Sequence, residues 1–284
     1  LLIIQRKFDP EETLRQIDAH RITELTLVPT MFVRLLKLPQ EVRDRYDVSS
    51  LRTVTHTGAP CPVEVKRAMI AWWGPIFHEL YGATEVGVTF FADSSDWLHK
   101  PGTVGRPMAD TMFAILDESG AEVEAGTPGE IFARNAIAPD WEYIGHPRDG
   151  RADGLTSVGD IGYVDEDGYL FLCDRKNDMI ISGGVNIYPA EIEAVVLGHP
   201  GVFDCAVFGA PHAEMGEQIV LAVALVEGAQ VEADELREFV RDRMTSYKVP
   251  RVVDFHAALP RQESGKILRR ALREPYWQGQ TARI

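Results

Sequence analysis

The chain has 284 residues, 45% of them hydrophobic and 25% charged, enough apolar material for a sizeable core and too much for a disordered chain. With 43 acidic against 29 basic residues the formal charge is −14, which makes the chain a poor nonspecific nucleic-acid binder and argues against docking on anionic membranes by charge alone. At about 150 residues per domain, this length suggests two domains.

The three cysteines, Cys61, Cys173 and Cys205, are far apart and form no Cys-x-x-Cys pair. That spacing excludes a disulfide framework and a zinc ribbon, and points to a reducing, cytoplasmic setting. No apolar run approaches the roughly 18 residues of a transmembrane helix. The short apolar stretch at residues 1–4 is too brief for a signal peptide.

In chain order, Asp9-Pro10-Glu11-Glu12 predicts a helix start, with Asp9 at the N-cap, Pro10 at N1 and Glu12 closing a capping box. Residues 25–28 read as a buried strand and 31–38 as a helix with Met31, Leu35 and Leu38 on one side. A strand over 51–55 follows, then a helix opened by Pro62 with Val65, Ala68, Met69 and Trp72 at helical spacing, then a strand over 76–80. That alternation implies a parallel α/β layer. From 102 to 174 the helical period vanishes, and the turn Asp165-Glu166-Asp167-Gly168 predicts a hairpin. Helices over 189–197, 233–244 and 266–273, with strands over 202–208, 220–226 and 252–255, complete a compact α+β unit. The fold class is thus α/β plus a β subdomain plus a small α+β domain. The expected boundaries are 1–95, 96–174 and 175–284, with the main division near Asp174 to Asn177.

No Walker-type, dinucleotide-binding, zinc-protease or nucleophile-elbow motif is present, and the eight histidines show no pair at metal spacing. Several unusual segments do occur in a fixed order. They are Thr57-Gly58-Ala59-Pro60, Tyr81-Gly82-Ala83-Thr84-Glu85, Gly102 to Pro107, Thr156 to Gly162, Asp174-Arg175-Lys176-Asn177-Asp178, Ser182 to Glu193, Tyr247-Lys248-Val249-Pro250, and Pro260-Arg261 through Gly265-Lys266. Each has a plain structural explanation taken singly: turns favour Gly and Pro, Thr-Glu suits a helix N-terminus, and most lysines are simply exposed. Each also suits a nucleotide. A bare Gly-Ala-Pro backbone after a strand can lie against a planar base at the carboxyl edge of the sheet. Thr84 and Glu85 offer oxygens for a phosphate and Mg²⁺. Asp160, between glycines at a strand start, can accept from vicinal hydroxyls, and Lys266 beside Gly265 can offset charge developing on a phosphate.

The ordered set resembles the adenylate-forming superfamily of acyl-CoA synthetases, luciferases and nonribosomal-peptide adenylation domains, over nearly the whole chain. The resemblance implies a reaction: a carboxylic acid attacks the α-phosphate of ATP, and a thiol, usually of CoA, then displaces AMP. It implies that Gly58, Ala59 and Pro60 line the adenine pocket with Tyr81 and Gly82 nearby. It places Thr84 on the α-phosphate, Glu85 on Mg²⁺, Asp160 on the ribose with help from Arg175, and Lys266 between carboxylate and α-phosphate. It makes Asn177 the pivot of a mobile C-terminal domain and sets Gly183 and Gly184 along the pantetheine path. The superfamily more often has Asp or Lys at the pivot.

The superfamily's Ser/Thr/Gly-rich phosphate loop is absent; in relatives it lies upstream of the residue where this chain begins. The expectation is therefore the C-terminal portion of a longer ligase, inactive or nearly so by itself. Residues 28–31 and 86–88 are candidates for the acyl pocket, and their small side chains favour a medium- or long-chain fatty acid or a bulky acid. The expected cofactors and partners are ATP/AMP, Mg²⁺, CoA and a small-molecule carboxylic acid. Two alternatives stand beside the acyl-CoA ligase: an adenylating enzyme that loads a carrier protein, and a non-catalytic AMP- or CoA-binding fragment.

Overall fold

A computed structural model describes residues 2–137, 151, 153–262 and 266–278. Leu1 and Gly265, both used in the sequence reading, lie outside the described residues. The chain divides into two compact units, Leu1–Leu172 and Cys173–Ile284.

The first unit begins with α1 (Pro10–His20), β1 (Glu24–Leu27), α2 (Pro29–Leu36), α3 (Gln40–Arg43), β2 (Thr53–His56), α4 (Val63–Trp73) and β3 (Phe77–Ala83). It continues through β4 (Gly87–Ala92), α5 (Ser94–His99), β5 (Thr103–Pro107), β6 (Thr111–Leu116), β7 (Gly129–Asn135), β8 (Thr156–Val164) and the first half of β9 (Leu170–Arg175), a strand whose last residues, Cys173 to Arg175, fall in the second unit. Among the described residues these strands form one nine-stranded sheet in the order β1-β2-β3-β4-β5-β9-β8-β7-β6. β1, β2 and β3 are parallel, as the strand–helix alternation predicts, and the pairings given from β3 onward are antiparallel.

Local chemistry explains most boundaries. Asp9 caps α1 by accepting from the Glu12 amide at 2.8 Å, but Glu12 turns its carboxylate to Arg15 and Gln16, so only half of the expected capping box forms. α2 starts two residues earlier than predicted, because Pro29 at its first turn needs no amide partner; Phe32 and Leu35 face inward and Leu38 falls beyond its end. Leu14, Ile17, Phe32, Leu35, Val54, Met69 and Phe77 build the core of the parallel layer. The predicted hairpin at 165–168 forms, with the Asp165 amide bonded to the Tyr169 carbonyl at 3.0 Å.

The second unit carries β10 (Ile180–Ser182), β11 (Val185–Ile187), α6 (Pro189–Val196), β12 (Val202–His212), β13 (Gly216–Leu225), α7 (Ala233–Arg241), β14 (Val252–His256) and α8 (Arg269–Trp277). β13 pairs with β12, β10 and β14. One face of this sheet packs Ile192 and Val196 of α6 and Leu236 and Val240 of α7. Another cluster joins Phe208 and Val220 to Leu272 of α8. α8 begins at Arg269, so Lys266 does not open that helix as the sequence suggests. Ile267 instead bridges to Arg261 and extends the chain for one more step.

Candidate active site

β2 and β3 run parallel with His56 opposite Glu79, so their carboxyl ends open on the same edge of the sheet. Thr57-Gly58-Ala59-Pro60 leaves β2 there exposed, with Gly58 at φ 89°, a conformation that glycine adopts without a Cβ penalty. Tyr81 lies in the C-terminal half of β3, buried to 7% exposure, and its hydroxyl donates to Asp160 Oδ2 at 2.8 Å. This bond joins two residues 79 positions apart, one expected beside the adenine and the other on the ribose. A carboxylate has lone pairs for about four hydrogen bonds, so the one from Tyr81 does not by itself saturate it.

Asp160 does not begin a strand, as the sequence suggests. It lies within β8 at an irregularity, where residues 158–160 stand against Ile131 alone and Gly159 takes φ 73°. The Ser157 hydroxyl accepts from the Gly159 amide and donates to Glu130. A bulge of this kind re-aims a side chain out of the regular ladder.

Thr84 and Glu85 occupy the tight turn between β3 and β4, closed by the Val86 amide on the Ala83 carbonyl at 3.1 Å. Thr84 is exposed and Glu85 half-buried. Gly82 is required by this hairpin itself, since a Cβ there would stand 2.0 Å from the Gly87 carbonyl oxygen. Among the described residues no group of three or more His, Cys, Asp or Glu is placed to hold a metal ion. One carboxylate beside a hydroxyl nevertheless fits Mg²⁺, which commonly takes one or two protein carboxylates and completes its shell with phosphate and water.

The sequence reading missed a charged cluster directly beneath these loops. Lys66 of α4 is fully buried, and its Nζ donates to Glu79 Oε2 at 2.7 Å. His56 Nε2 stands 3.6 Å from the same oxygen, and Phe32 meets the imidazole edge-on at 5.3 Å. Burial, and then the Lys66 charge, push the His56 pKa down to about 3, so the ring is neutral. Burial raises the Glu79 carboxyl, with Lys66 opposing. The buried residues of α4 are Lys66, Met69 and Trp73; of the expected 65/68/69/72 set, Met69 is in the core and Val65 and Trp72 pack partly buried against it, so the inward face is not purely apolar. The available signal was the i, i+3, i+7 spacing of Lys66 with Met69 and Trp73.

In the second unit, Arg175 and Asn177 are exposed on a turn closed by the Asp178 and Met179 amides on the Arg175 carbonyl. The preceding Asp174 is buried and accepts from the Arg175 and Ala190 amides at 2.7 and 2.8 Å; burial lifts its pKa to about 6. Gly183 and Gly184, at φ 58° and 79°, form the two-residue turn between β10 and β11, where Ser182 pairs with Val185. Both central residues at positive φ is the geometry that two-residue hairpins prefer. Lys266 is exposed, and its carbonyl accepts from the Gln262 amide at 2.9 Å. The structure thus gathers Gly58, Ala59, Pro60, Tyr81, Gly82, Thr84, Glu85 and Asp160 in the first unit, and carries Arg175, Asn177, Gly183, Gly184 and Lys266 on the second.

Comparison with known proteins bears on both units. Residues 1–138 match the family model described as AMP-binding enzyme, and residues 191–266 match the AMP-binding enzyme C-terminal domain. The chain belongs to the AMP-binding, adenylate-forming enzyme family. A long-chain-fatty-acid–CoA ligase of Bacillus subtilis is 37% identical over 277 residues, covering 96% of this chain and 49% of the relative. The ATP-bound structure of MatB from Rhodopseudomonas palustris superposes with TM-score 0.84 at 31% identity, over 96% of this chain and 54% of that one. The amide bond synthetase McbA from Marinactinospora thermotolerans gives TM-score 0.85 at 31% identity, over 96% and 56%. The chain therefore spans about half the length of the family members it matches. The α/β layer, β-rich region and small α+β unit read from the sequence agree with this adenylate-forming fold. No helix among the described residues is long and apolar enough to cross a membrane.

Proposed function

We propose that the chain is the C-terminal portion of an ATP-dependent, AMP-forming acid–thiol ligase. On this reading residues 1–174 belong to the large nucleotide-binding domain and residues 175–284 form a small mobile domain that turns about Asn177. The observation that carries the reading is the Tyr81–Asp160 hydrogen bond at the carboxyl edge of β3, beside the exposed Gly58-Ala59-Pro60 backbone. A flat backbone, an aromatic residue and a carboxylate at one sheet edge suit a base and its ribose.

In the first half-reaction a substrate carboxylate oxygen bonds to the α-phosphorus of ATP and pyrophosphate leaves. Gly58, Ala59, Pro60, Tyr81 and Gly82 hold the adenine, Asp160 accepts from the ribose hydroxyls, and Arg175 assists by donating to the ribose oxygens. Thr84 donates to the α-phosphate, and Lys266 offsets the negative charge that gathers between carboxylate and phosphate. Mg²⁺, held by Glu85, supplies further charge neutralisation when bound. In the second half-reaction the CoA thiolate bonds to the acyl carbon and AMP leaves, with Gly183 and Gly184 flanking the pantetheine path. The acid is proposed to be a medium- or long-chain fatty acid or another bulky acid; the likeness to the B. subtilis long-chain enzyme supports the first.

A second reading keeps the adenylate and changes the acceptor to a carrier-protein thiol or an amine. The structural likeness to an amide bond synthetase favours it. The test is a product assay on the full-length polypeptide that carries this chain, with Mg-ATP, CoA and a panel of fatty and aromatic carboxylic acids, read by mass spectrometry. Acyl-CoA with stoichiometric AMP is the expected result. Adenylate that accumulates despite CoA moves the assignment to the second reading, and no acid-dependent AMP release contradicts both.

A further inference from the structure

The second unit holds Lys266 by more than its own backbone. Residues 260–262 and 266–268 pair as two short legs: the Gln262 amide bonds to the Lys266 carbonyl, Arg261 bridges to Ile267, and the Leu268 amide bonds to the Pro260 carbonyl at 2.8 Å. An isolated two-stranded pairing this short is marginal in water. Each leg, however, ends in an arginine fixed on a carboxylate of the unit's framework. On the incoming leg Arg261 Nη2 pairs with Asp204 of β12. On the outgoing leg Arg269, three-quarters buried, donates from Nη2 to both Glu193 oxygens at 2.6 Å and from Nη1 to Asp178 at 3.3 Å.

The carboxylates are themselves fixed. Glu193 projects from α6 and also accepts the Val207 amide of β12 at 2.7 Å. Asp178 ends the turn that bears Arg175 and Asn177. The outgoing leg is therefore tied at once to α6, to the central sheet and to the turn proposed as the pivot. Arginine suits this task, because its planar guanidinium carries several donors at fixed angles and stays charged at any working pH.

We propose that Arg261 and Arg269 are positioning residues for Lys266. They anchor the two paired legs beside it, so that the lysine keeps one place within its unit and reaches the adenylation site with its ammonium already located. The inference rests on the role proposed above for Lys266. A displacement of about 1 Å costs a transition-state contact on the order of 100-fold in rate. The half-reaction that does not use Lys266 is insensitive to it.

The experiment compares half-reactions in the full-length polypeptide. Adenylation is followed by acid-dependent ATP–pyrophosphate exchange, using the panel acid that the unsubstituted enzyme turns over fastest. Acyl transfer is followed separately from the synthetic adenylate of that acid plus CoA. Arg269→Gln is expected to lower exchange by about 10- to 100-fold through kcat, to leave the KM for ATP within about threefold, and to retain acyl transfer. Arg269→Lys recovers only part of the loss, since one ammonium cannot span Glu193 and Asp178 as the guanidinium does. Hydrogen exchange supplies a readout independent of activity: the Gln262 and Leu268 amides speed up in the variant while the β12 and β13 amides do not.

Equal losses in both half-reactions, or unchanged exchange at Gln262 and Leu268, would overturn the proposal. Should Arg269→Gln fail to fold, Arg261→Gln at the other leg is read in the same way and decides it. Lys266→Ala separates the two levels of the argument. If it leaves adenylation intact, the role of Lys266 and this inference fall together; if it abolishes adenylation while the arginine variants do not affect it, the inference alone is wrong.

Discussion

Both units set a charged pair beneath the loops proposed to act, but they build it differently. In the first unit Lys66 and Glu79 are sealed between α4 and β3, at 0% and 4% exposure, with one short hydrogen bond and a neutral histidine beside it. In the second unit Arg269 is only three-quarters buried and distributes its donors over Glu193 and Asp178. A sealed pair is held mainly by the cost of leaving either charge buried without the other. A shared, half-open arginine ties several segments together and tolerates the loss of one contact. The first arrangement suits a fixed sheet edge carrying a base-binding loop, and the second suits a unit proposed to move as one piece.

The largest expected effect tests the sealed pair. Lys66→Ala leaves Glu79 buried without its partner and should cost about 3–5 kcal/mol of stability, measured by chemical denaturation. The double replacement Lys66→Met with Glu79→Leu should recover most of that loss, because a packed apolar pair needs no desolvation. If the single variant costs less than about 1 kcal/mol, the pair is not as sealed as its burial indicates.

Next is Lys266→Ala, which should lower adenylation by about 10²–10³-fold, the size of effect seen when a group stabilising transition-state charge is removed. Pyrophosphate exchange measures it. Acyl transfer from preformed adenylate should survive, which separates a lost charge from a lost fold.

A smaller effect is expected at the Tyr81–Asp160 bond. Tyr81→Phe removes one hydrogen bond and should weaken AMP binding by about 1 kcal/mol, roughly fivefold, raising KM for ATP with little change in kcat. Calorimetry with AMP reads the first number and steady-state kinetics the second. A double-mutant cycle with Asp160→Asn should show coupling between the two positions.

The parts legible in the sequence are those where one local rule decides. The β1–β3 parallel layer followed from strand–helix alternation, α1 from Asp9 and Pro10, and the hairpin at 165–168 from its Asp and Gly residues. The order of the Gly- and Asp-bearing segments carried the resemblance to adenylate-forming enzymes. What escaped depended on tertiary partners. Lys66 on an inward helix face reads as exposed until Glu79, thirteen residues away, neutralises it. Asp160 reads as a strand-start turn because the bulge opposite Ile131 is set by a neighbouring strand. Lys266 reads as the start of α8, whereas the bridge from Arg261 to Ile267 delays that helix to Arg269.

A contrast in pH response is expected as well. His56 has its pKa lowered from 6.5 to about 3, so its contribution to stability is present above about pH 6.5 and is lost as the pH falls toward 3. Asp174 has its pKa raised from 3.8 to about 6, so its contribution is present below pH 3.8 and is lost as the pH rises through 6. Denaturation at pH 4.5 and pH 7.5 should therefore show that Asp174→Asn is more favourable, relative to the parent, at the higher pH. His56→Phe should show the reverse trend and be more favourable at the lower pH. Parallel trends in the two variants would mean that the buried groups do not titrate as their surroundings indicate.

The central claim is that the base and ribose lie at the carboxyl edge of β2 and β3 in the first unit. Photolabelling the full-length polypeptide with 8-azido-ATP, followed by peptide mapping, tests it most directly. The account predicts label within residues 57–60 or 81–85, competed away by AMP and reduced by Asp160→Asn. Label that AMP displaces but that maps outside these segments would contradict it.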